Sequence, residues 1–336
     1  MKVCVAIPTY KNFGKTISRT LNSLATQTYK DFRVLIVYKP FPGDTTLEVI
    51  DEYRNKLNIE VVVQKEGYVT EAMNITFKKV EEDVLIITDD DAIPECQFIR
   101  KHVSLHECYP RVGVVGGRVF PQSFQRQKST LRVHLIDFLR LVNITLGYYK
   151  HLNKHLKEYL SYYNDMGLFV FNDPPLSMRE TRCTMWVIGA NMSIKKAVFT
   201  DFEVPCSTIR GSEYEFLVAL HAILKGFKTI LTSDIRVIHC ERESLSRPKD
   251  PHLTLIEHAI APYNVFKVYG YVNLKRLKNY LRVINAVKTF KKLAKRSSPF
   301  IESFSLALPL AIKSIEEDKS PSYVRTQLKE ISKFYE

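Results

Sequence analysis

The chain has 336 residues, 45% of them hydrophobic, enough to fill one large or two modest cores, which excludes a disordered chain. Lysine and arginine number 49 against 36 aspartates and glutamates, and the net charge of +13 suits anionic partners such as nucleotides, phospholipid headgroups or nucleic acid without choosing among them. The cysteines, Cys4, Cys96, Cys108, Cys183, Cys206 and Cys240, form no C-x-x-C pair, which argues against a disulfide scaffold and for buried thiols in a reducing compartment.

Residues 2–7 (KVCVAI) read as a buried strand. Pro8 follows at once, where a secretory leader would need a longer apolar run and a small-residue cleavage site, so the expected location is cytoplasmic. Residues 16–26 place Ile17, Leu21 and Leu24 on one helical face, which completes a βα unit. The alternation continues with a strand at 32–37, a helix at 45–57, a strand at 59–64, a helix at 70–80 and a strand at 84–88. Such alternation predicts an α/β fold, a mostly parallel sheet flanked by helices, with ligands bound outside the carboxyl ends of the strands.

The fourth strand runs straight into Asp89-Asp90-Asp91. Three adjacent carboxylates repel one another unless a cation or a donor-rich ligand offsets them, although aspartate before Ala92-Ile93-Pro94 also suits a turn or a helix cap. Residues 112–119 form another strand with a glycine turn. A stretch rich in basic and aromatic residues follows, with helical patterns at 131–146 and 152–163, and reads as an inserted lobe. An apolar strand and turn at 184–194, an amphipathic helix at 214–224 closed by Gly226, short strands at 229–231 and 237–239, and basic helices from Pro262 complete the chain. The apolar run 300–312 is interrupted by Glu302 and Pro309 and is too short to cross a bilayer. Gly14-Lys15-Thr16 has the ending of a P-loop, but Thr9 stands where that motif needs glycine.

Taken in order, Ile7-Pro8-Thr9-Tyr10, Leu24-Ala25-Thr26-Gln27-Thr28, Gly67 with Ala72 and Asn74, and the three aspartates resemble the donor-binding half of the family-2 glycosyltransferases. The resemblance continues through Gly189-Ala190-Asn191-Met192-Ser193, the acidic Glu213 to Glu215, Gly226-Phe227 and Val237-Ile238-His239. It implies an A-type glycosyltransferase fold and inverting sugar transfer from a nucleotide donor to a hydroxyl acceptor. The implied divisions are a donor-binding half at 1–118, an acceptor-binding half at 119–245 with a helical lobe at 122–180, and a basic helical C-terminal region at 246–336.

The resemblance also implies roles. Asp91, Asp89 and His239 would bind Mn²⁺ or Mg²⁺ in a DXD-type site, with Asp90 in support; a lone histidine at that place also serves as a structural hydrogen-bonding residue. Pro8, Thr9, Tyr10, Lys39, Gly67, Asn74, Asp89 and Asp90 would line the donor cleft, and Trp186, Gly189, Ala190 and Asn191 would face the sugar or acceptor. A carboxylate must deprotonate the acceptor hydroxyl. Glu215 and Glu213 are both candidates where the family has Glu-Asp, which leaves a catalytically altered nucleotide-sugar-binding protein as the alternative. The second strand departs from the family pattern as well, since Lys39-Pro40-Phe41-Pro42-Gly43-Asp44 stands in place of Asp-Asp-Gly-Ser-x-Asp. The basic segments at 122–163 and after Pro262 suit a glycan or lipid-linked acceptor and peripheral contact with an anionic membrane surface. No nucleic-acid module is present, and none is expected as a partner.

Overall fold

The computed structural model describes residues 1–121, 147–211, 213–240, 248, 250–293 and 298–335. The chain divides into two units, one comprising Met1–Phe124, Asp173–Val204 and Tyr214–Arg242, the other Gln125–Asn172, Pro205–Glu213 and Glu243–Glu336.

In the first unit the apolar runs become strands β1 (Val3–Tyr10), β2 (Phe32–Lys39), β3 (Ile59–Val63) and β4 (Val84–Ile87), joined by helices α1 (Ile17–Ala25), α2 (Thr46–Asp51) and α3 (Val69–Lys79). These four strands lie parallel in the order β3-β2-β1-β4. Crossover helices cover both faces of such a sheet, so its strands are apolar on both sides. Val3, Val5 and Ile7 of β1 pack with Ile17, Leu21 and Leu24 of α1. Cys4 and Ala6, on the opposite face, are equally buried, and that burial pushes the Cys4 thiol up to about 12.

Further along come β5 (Ala92–Pro94), α4 (Phe98–Cys108), β6 (Val112–Pro121), and the short β7 (Tyr162–Tyr163) and β8 (Phe169–Val170) of the second unit. They are followed by β9 (Thr181–Cys183), β10 (Met192–Lys195), α5 (Lys196–Phe199), α6 (Tyr214–Leu224) and β11 (Lys228–His239). The sheet is extended in the order β4-β10-β6-β11-β5, with β9 also beside β11. Strand β10 runs antiparallel to both β4 and β6, and β6 and β11 are parallel. Gly116 and Gly117 in β6 are required by close approach: a Cβ on Gly116 would meet Val187 at 2.7 Å, and one on Gly117 would overlap the Asn191 amide.

The second unit contains the β7-β8 hairpin and helices α7 (Pro251–His258), α8 (Ala261–Tyr269), α9 (Leu274–Leu293), α10 (Pro299–Glu316) and α11 (Pro321–Ser332). Helix α10 buries Ile301, Phe304, Ala307, Leu308, Ala311, Ile312 and Ile315. Among the described residues no helix is long and apolar enough to cross a membrane.

Several sequence expectations are corrected in detail. The helix expected at 152–163 is a 3-10 turn at Lys154–Glu158 followed by the hairpin, because Asn153 accepts from the His155 amide and Asn164 from the amides of Met166 and Leu168, closing local turns instead. The helix expected at 131–146 lies outside the described residues. Of the strand expected at 184–194 only β10 pairs, after a 3-10 turn at Gly189–Asn191. The two short strands at 229–231 and 237–239 are one strand, β11, with a register shift between Leu231 and Arg236. Helices begin at Pro251, before Pro262.

Candidate active site

A strand absent from the sequence reading, β5, builds the acidic end of the sheet. It pairs antiparallel with the end of β11, which sets Ala92 opposite His239, and the Cys240 amide donates to the Asp91 carbonyl at 2.7 Å. His239 thus stands beside the aspartate turn that closes β4. Its Nε2 lies 3.0 Å from Asp89 Oδ2 and 3.2 Å from Asp91 Oδ1, and one ligand atom from each of the three residues lies within 4.8 Å of the others. The ring's Nδ1 sits 3.2 Å from the Cys240 carbonyl, which accepts a hydrogen bond from Nδ1–H and so favours the tautomer with Nε2 free to act as the ligand atom. Two carboxylates and an imidazole whose second nitrogen is held by a carbonyl form a donor set that fits a divalent cation.

Asp90 turns elsewhere. It is buried, and its carboxylate accepts from Thr9 Oγ1 at 2.5 Å, fastening the aspartate turn to the end of β1. Asn12, which the sequence reading missed, extends this clamp: its Nδ2 donates to the Asp90 carbonyl, and its Oδ1 accepts from the amides of Thr16 and Ile17 where α1 begins. The signal was an asparagine five residues ahead of the helix start, where a short polar side chain can bond nearby main-chain groups. The loop it holds carries Lys11 and Phe13 in the left-handed region, a local strain concentrated beside the aspartates.

The β1-β2 register pairs Tyr10 with Lys39, with Pro8 opposite Val37. The Lys39 ammonium donates to the Gly67 carbonyl and lies 5.0 Å from the ring centres of both Tyr10 and Tyr68, while Phe41 meets Tyr10 edge-on at 5.9 Å. Gly67 has φ +83, and a Cβ there would overlap the Glu71 carboxylate, which accepts from the Tyr68 amide and caps α3. Pro8, Thr9, Tyr10, Lys39 and Gly67 therefore gather at the carboxyl ends of β1 and β2. Asn74 is used differently: its amide closes on the Val204 main chain, donating to the carbonyl at 3.0 Å and accepting from the N–H at 2.8 Å.

Of the residues expected on the acceptor side, Trp186 is half-buried, the Ala190 carbonyl accepts from Thr88 Oγ1, and the Gly189 amide donates to Glu215 Oε1 at 3.1 Å. Asn191 is fully buried in the sheet. Its amide donates to the Arg118 carbonyl at 2.9 Å, and its Oδ1 lies 3.1 Å from His102 Nε2. Ser193 Oγ then bridges His102 and His106, each at 2.8 Å. Burial lowers both imidazoles, His102 to about 3 and His106 to about 4, so this chain of contacts is neutral. Replacing Asn191 by Ala would strip partners from buried polar groups and should cost about 3 kcal/mol in urea unfolding. A loss below about 1 kcal/mol would show the amide to be dispensable.

The two candidate bases separate. Glu215, in the first turn of α6, belongs to the unit that holds the aspartates. The neighbouring Tyr214 phenol is pushed well above its usual range by burial, with the charges of Glu215 and Asp89 adding to the effect. Glu213 belongs to the other unit and has a left-handed backbone, φ 69. Its carboxylate lies 2.6 Å from His258 Nδ1 and accepts from the Tyr163 hydroxyl at 3.3 Å. Burial works against a charge on His258, but Glu213 outweighs it and holds the imidazolium above its ordinary 6.5. The pair's contribution to stability is therefore full below that value and is lost as pH climbs through the raised one.

A sequence model of the family described as glycosyl transferase family 2 matches residues 4–173. The chain is 36% identical over 140 residues to the poly(ribitol-phosphate) beta-N-acetylglucosaminyltransferase TarS of Staphylococcus aureus, a match covering 38% of this chain and 24% of that relative. Among solved structures, S. aureus TarS 1-349 in complex with UDP-GlcNAc superposes with a TM-score of 0.54 at 16% identity, covering 95% of this chain and 93% of that one. The mannosyltransferase PcManGT from Pyrobaculum calidifontis, in complex with GDP-Man and Mn²⁺, gives 0.51 at 15% identity over 98% and 80%. At those identities the superpositions speak for the fold alone.

Proposed function

The chain belongs to glycosyl transferase family 2, and from that membership we propose that it moves a sugar, with inversion, from a nucleoside-diphosphate donor to a hydroxyl on a glycan or lipid-linked acceptor. Its fold is the A-type glycosyltransferase fold. The observation that carries the reading is the meeting of Asp89, Asp91 and His239 at the carboxyl end of β4, in the same unit as Glu215.

In the reaction an acceptor oxygen attacks the anomeric carbon as the bond from that carbon to the diphosphate breaks, and the electron pair leaves on the diphosphate. Glu215 takes the acceptor proton, which makes the hydroxyl a competent nucleophile. A Mn²⁺ or Mg²⁺ held by Asp89, Asp91 and His239 would offset the charge of the leaving diphosphate. Asp90, Thr9 and Asn12 keep the aspartate turn in register with the end of β1, and the Gly189 amide orients the Glu215 carboxylate. Tyr10, Lys39 and Gly67 form the donor-side wall, where a ring face and an ammonium suit a nucleotide.

The test is nucleoside diphosphate release from UDP-, GDP- and dTDP-sugars with Mn²⁺ or Mg²⁺. Metal-dependent release from one of them supports the reading and names the nucleotide. Donor binding in calorimetry without turnover, after a panel of glycan and lipid-linked acceptors, would leave a binding protein of the same fold.

A further inference from the structure

Helices α9 and α10 carry none of the residues assigned above to the metal cluster, the donor wall or the base. Helix α9 carries Lys275, Arg276, Lys278, Arg282, Lys288, Lys291 and Lys292 and no acidic residue. Arg276 is paired with Asp165 at 2.8 Å, and Lys278 with Glu316. The remaining five meet no carboxylate among the described residues: Arg282 bonds Asn279 and Lys288 bonds Ser305. Leu277, Tyr280 and Ile284 face the interior of the unit, and the outer ridge at four-residue spacing reads Lys278, Arg282, Ala286, Phe290.

That ridge turns from cationic to apolar at the end of the helix, where Phe290 is 70% exposed with Lys291 and Lys292 beside it. Helix α10 starts at Pro299 and continues the apolar character. Pro299, Phe300, Leu306 and Pro309 are exposed on its outer flank, while Ile301, Phe304, Leu308 and Ile312 are buried. Glu302, the acidic residue of this first turn, is taken by His252 at 3.2 Å.

Unpaired cations beside exposed aromatic and aliphatic side chains match the two faces of a lipid interface, where phosphates lie at the level of the headgroups and acyl chains just beneath. A soluble polyanion would account for the lysines and leave the exposure of Phe290 unexplained. We propose that the exposed side chains of the last turns of α9 and the first turn of α10 dock the protein on an anionic bilayer surface. Lys291, Lys292 and Arg282 meet the headgroup phosphates, and Phe290 and Phe300 enter the interface. The inference goes beyond sugar transfer and does not depend on it.

The experiment is co-sedimentation of the full chain with vesicles of mixed phosphatidylglycerol and phosphatidylcholine, against vesicles of phosphatidylcholine alone. The wild type should sediment with the anionic vesicles only, less so as salt rises. The double substitution Phe290→Ser with Phe300→Ser, and separately Lys291→Glu with Lys292→Glu, should each lower partitioning by about tenfold or more, measured well below the Tm of each variant because Phe300 also stacks on buried Phe304 at 4.2 Å. Failure of the wild type to sediment overturns the proposal, as does sedimentation that survives both double substitutions. If the serine variant binds as the wild type does and soluble polyphosphate strips both from the vesicles, the surface belongs to a soluble polyanion. If sedimentation velocity shows a dimer that the serine variant abolishes, it belongs to a second copy of the chain. Either result also overturns the lipid assignment.

Discussion

Replacing Asp91 by Asn should lower nucleoside diphosphate release about 100- to 1,000-fold while leaving the protein folded. Asp91 is buried and points one oxygen at His239 Nε2, 3.2 Å away. An amide there is isosteric but neutral, so it neither balances a cation nor retains one well. The local backbone should survive, because what secures it is the Asp91 carbonyl accepting from the Cys240 amide, a bond the substitution does not touch. Thermal melts supply the second reading: Mn²⁺ should raise the Tm of the wild type, by the mass action of a ligand that binds only the folded state, and should not raise that of Asp91→Asn. A variant that kept wild-type turnover and the full Mn²⁺ shift would remove Asp91 from the site.

The second large effect concerns the base. Glu215→Gln should reduce turnover by about 100- to 10,000-fold with donor affinity unchanged in calorimetry. Glutamine keeps the oxygen that accepts from the Gly189 amide, so the turn at Gly189–Asn191 should stay where it is and only the proton acceptor is lost. Glu213→Gln provides the contrast. Glu213 is committed to His258 and Tyr163, and its replacement should appear first as lost stability, larger at acidic than at alkaline pH because His258 is charged below its raised value. Were Glu213→Gln at matched stability the more damaging to turnover, the base would be Glu213.

The parallel half of the sheet was legible because its strands are continuous apolar runs separated by helices of clear 3.6-residue spacing. Strand β5 was not, since Ala92-Ile93-Pro94 is three residues long and owes its extended form to β11, a partner far away in sequence. Strand β11 was read as two pieces because Thr232, Ser233 and Asp234 interrupt its apolar pattern, although Thr232 and Ser233 are buried and bonded to Thr181 and Glu180. The motif residues were expected to act as a set, but a sequence does not say which way an amide points. Asn74 was expected to line the donor cleft and Asn191 to face the sugar or acceptor; Asn74 closes its amide on the Val204 main chain, and Asn191 divides its own between the Arg118 carbonyl and the His102 ring, all within their own unit. His239 is the converse case: as a lone histidine its role was open, and the β5-β11 pairing places it against Asp89 and Asp91.

Strand β10 lies between β4 and β6, yet it comes from Met192–Lys195, long after both neighbours in the chain. On the ribosome, β4 (Val84–Ile87) therefore waits with one edge open until that later segment emerges, an interval of roughly 5–20 s at ordinary elongation rates. Its sequence, VLII, carries neither charge nor proline to discourage another chain from pairing there. A nascent chain stalled before Met192 should accordingly aggregate or be captured by chaperones, and one stalled beyond β11 should not. Equal solubility of the two would show that the edge is covered by other means during synthesis.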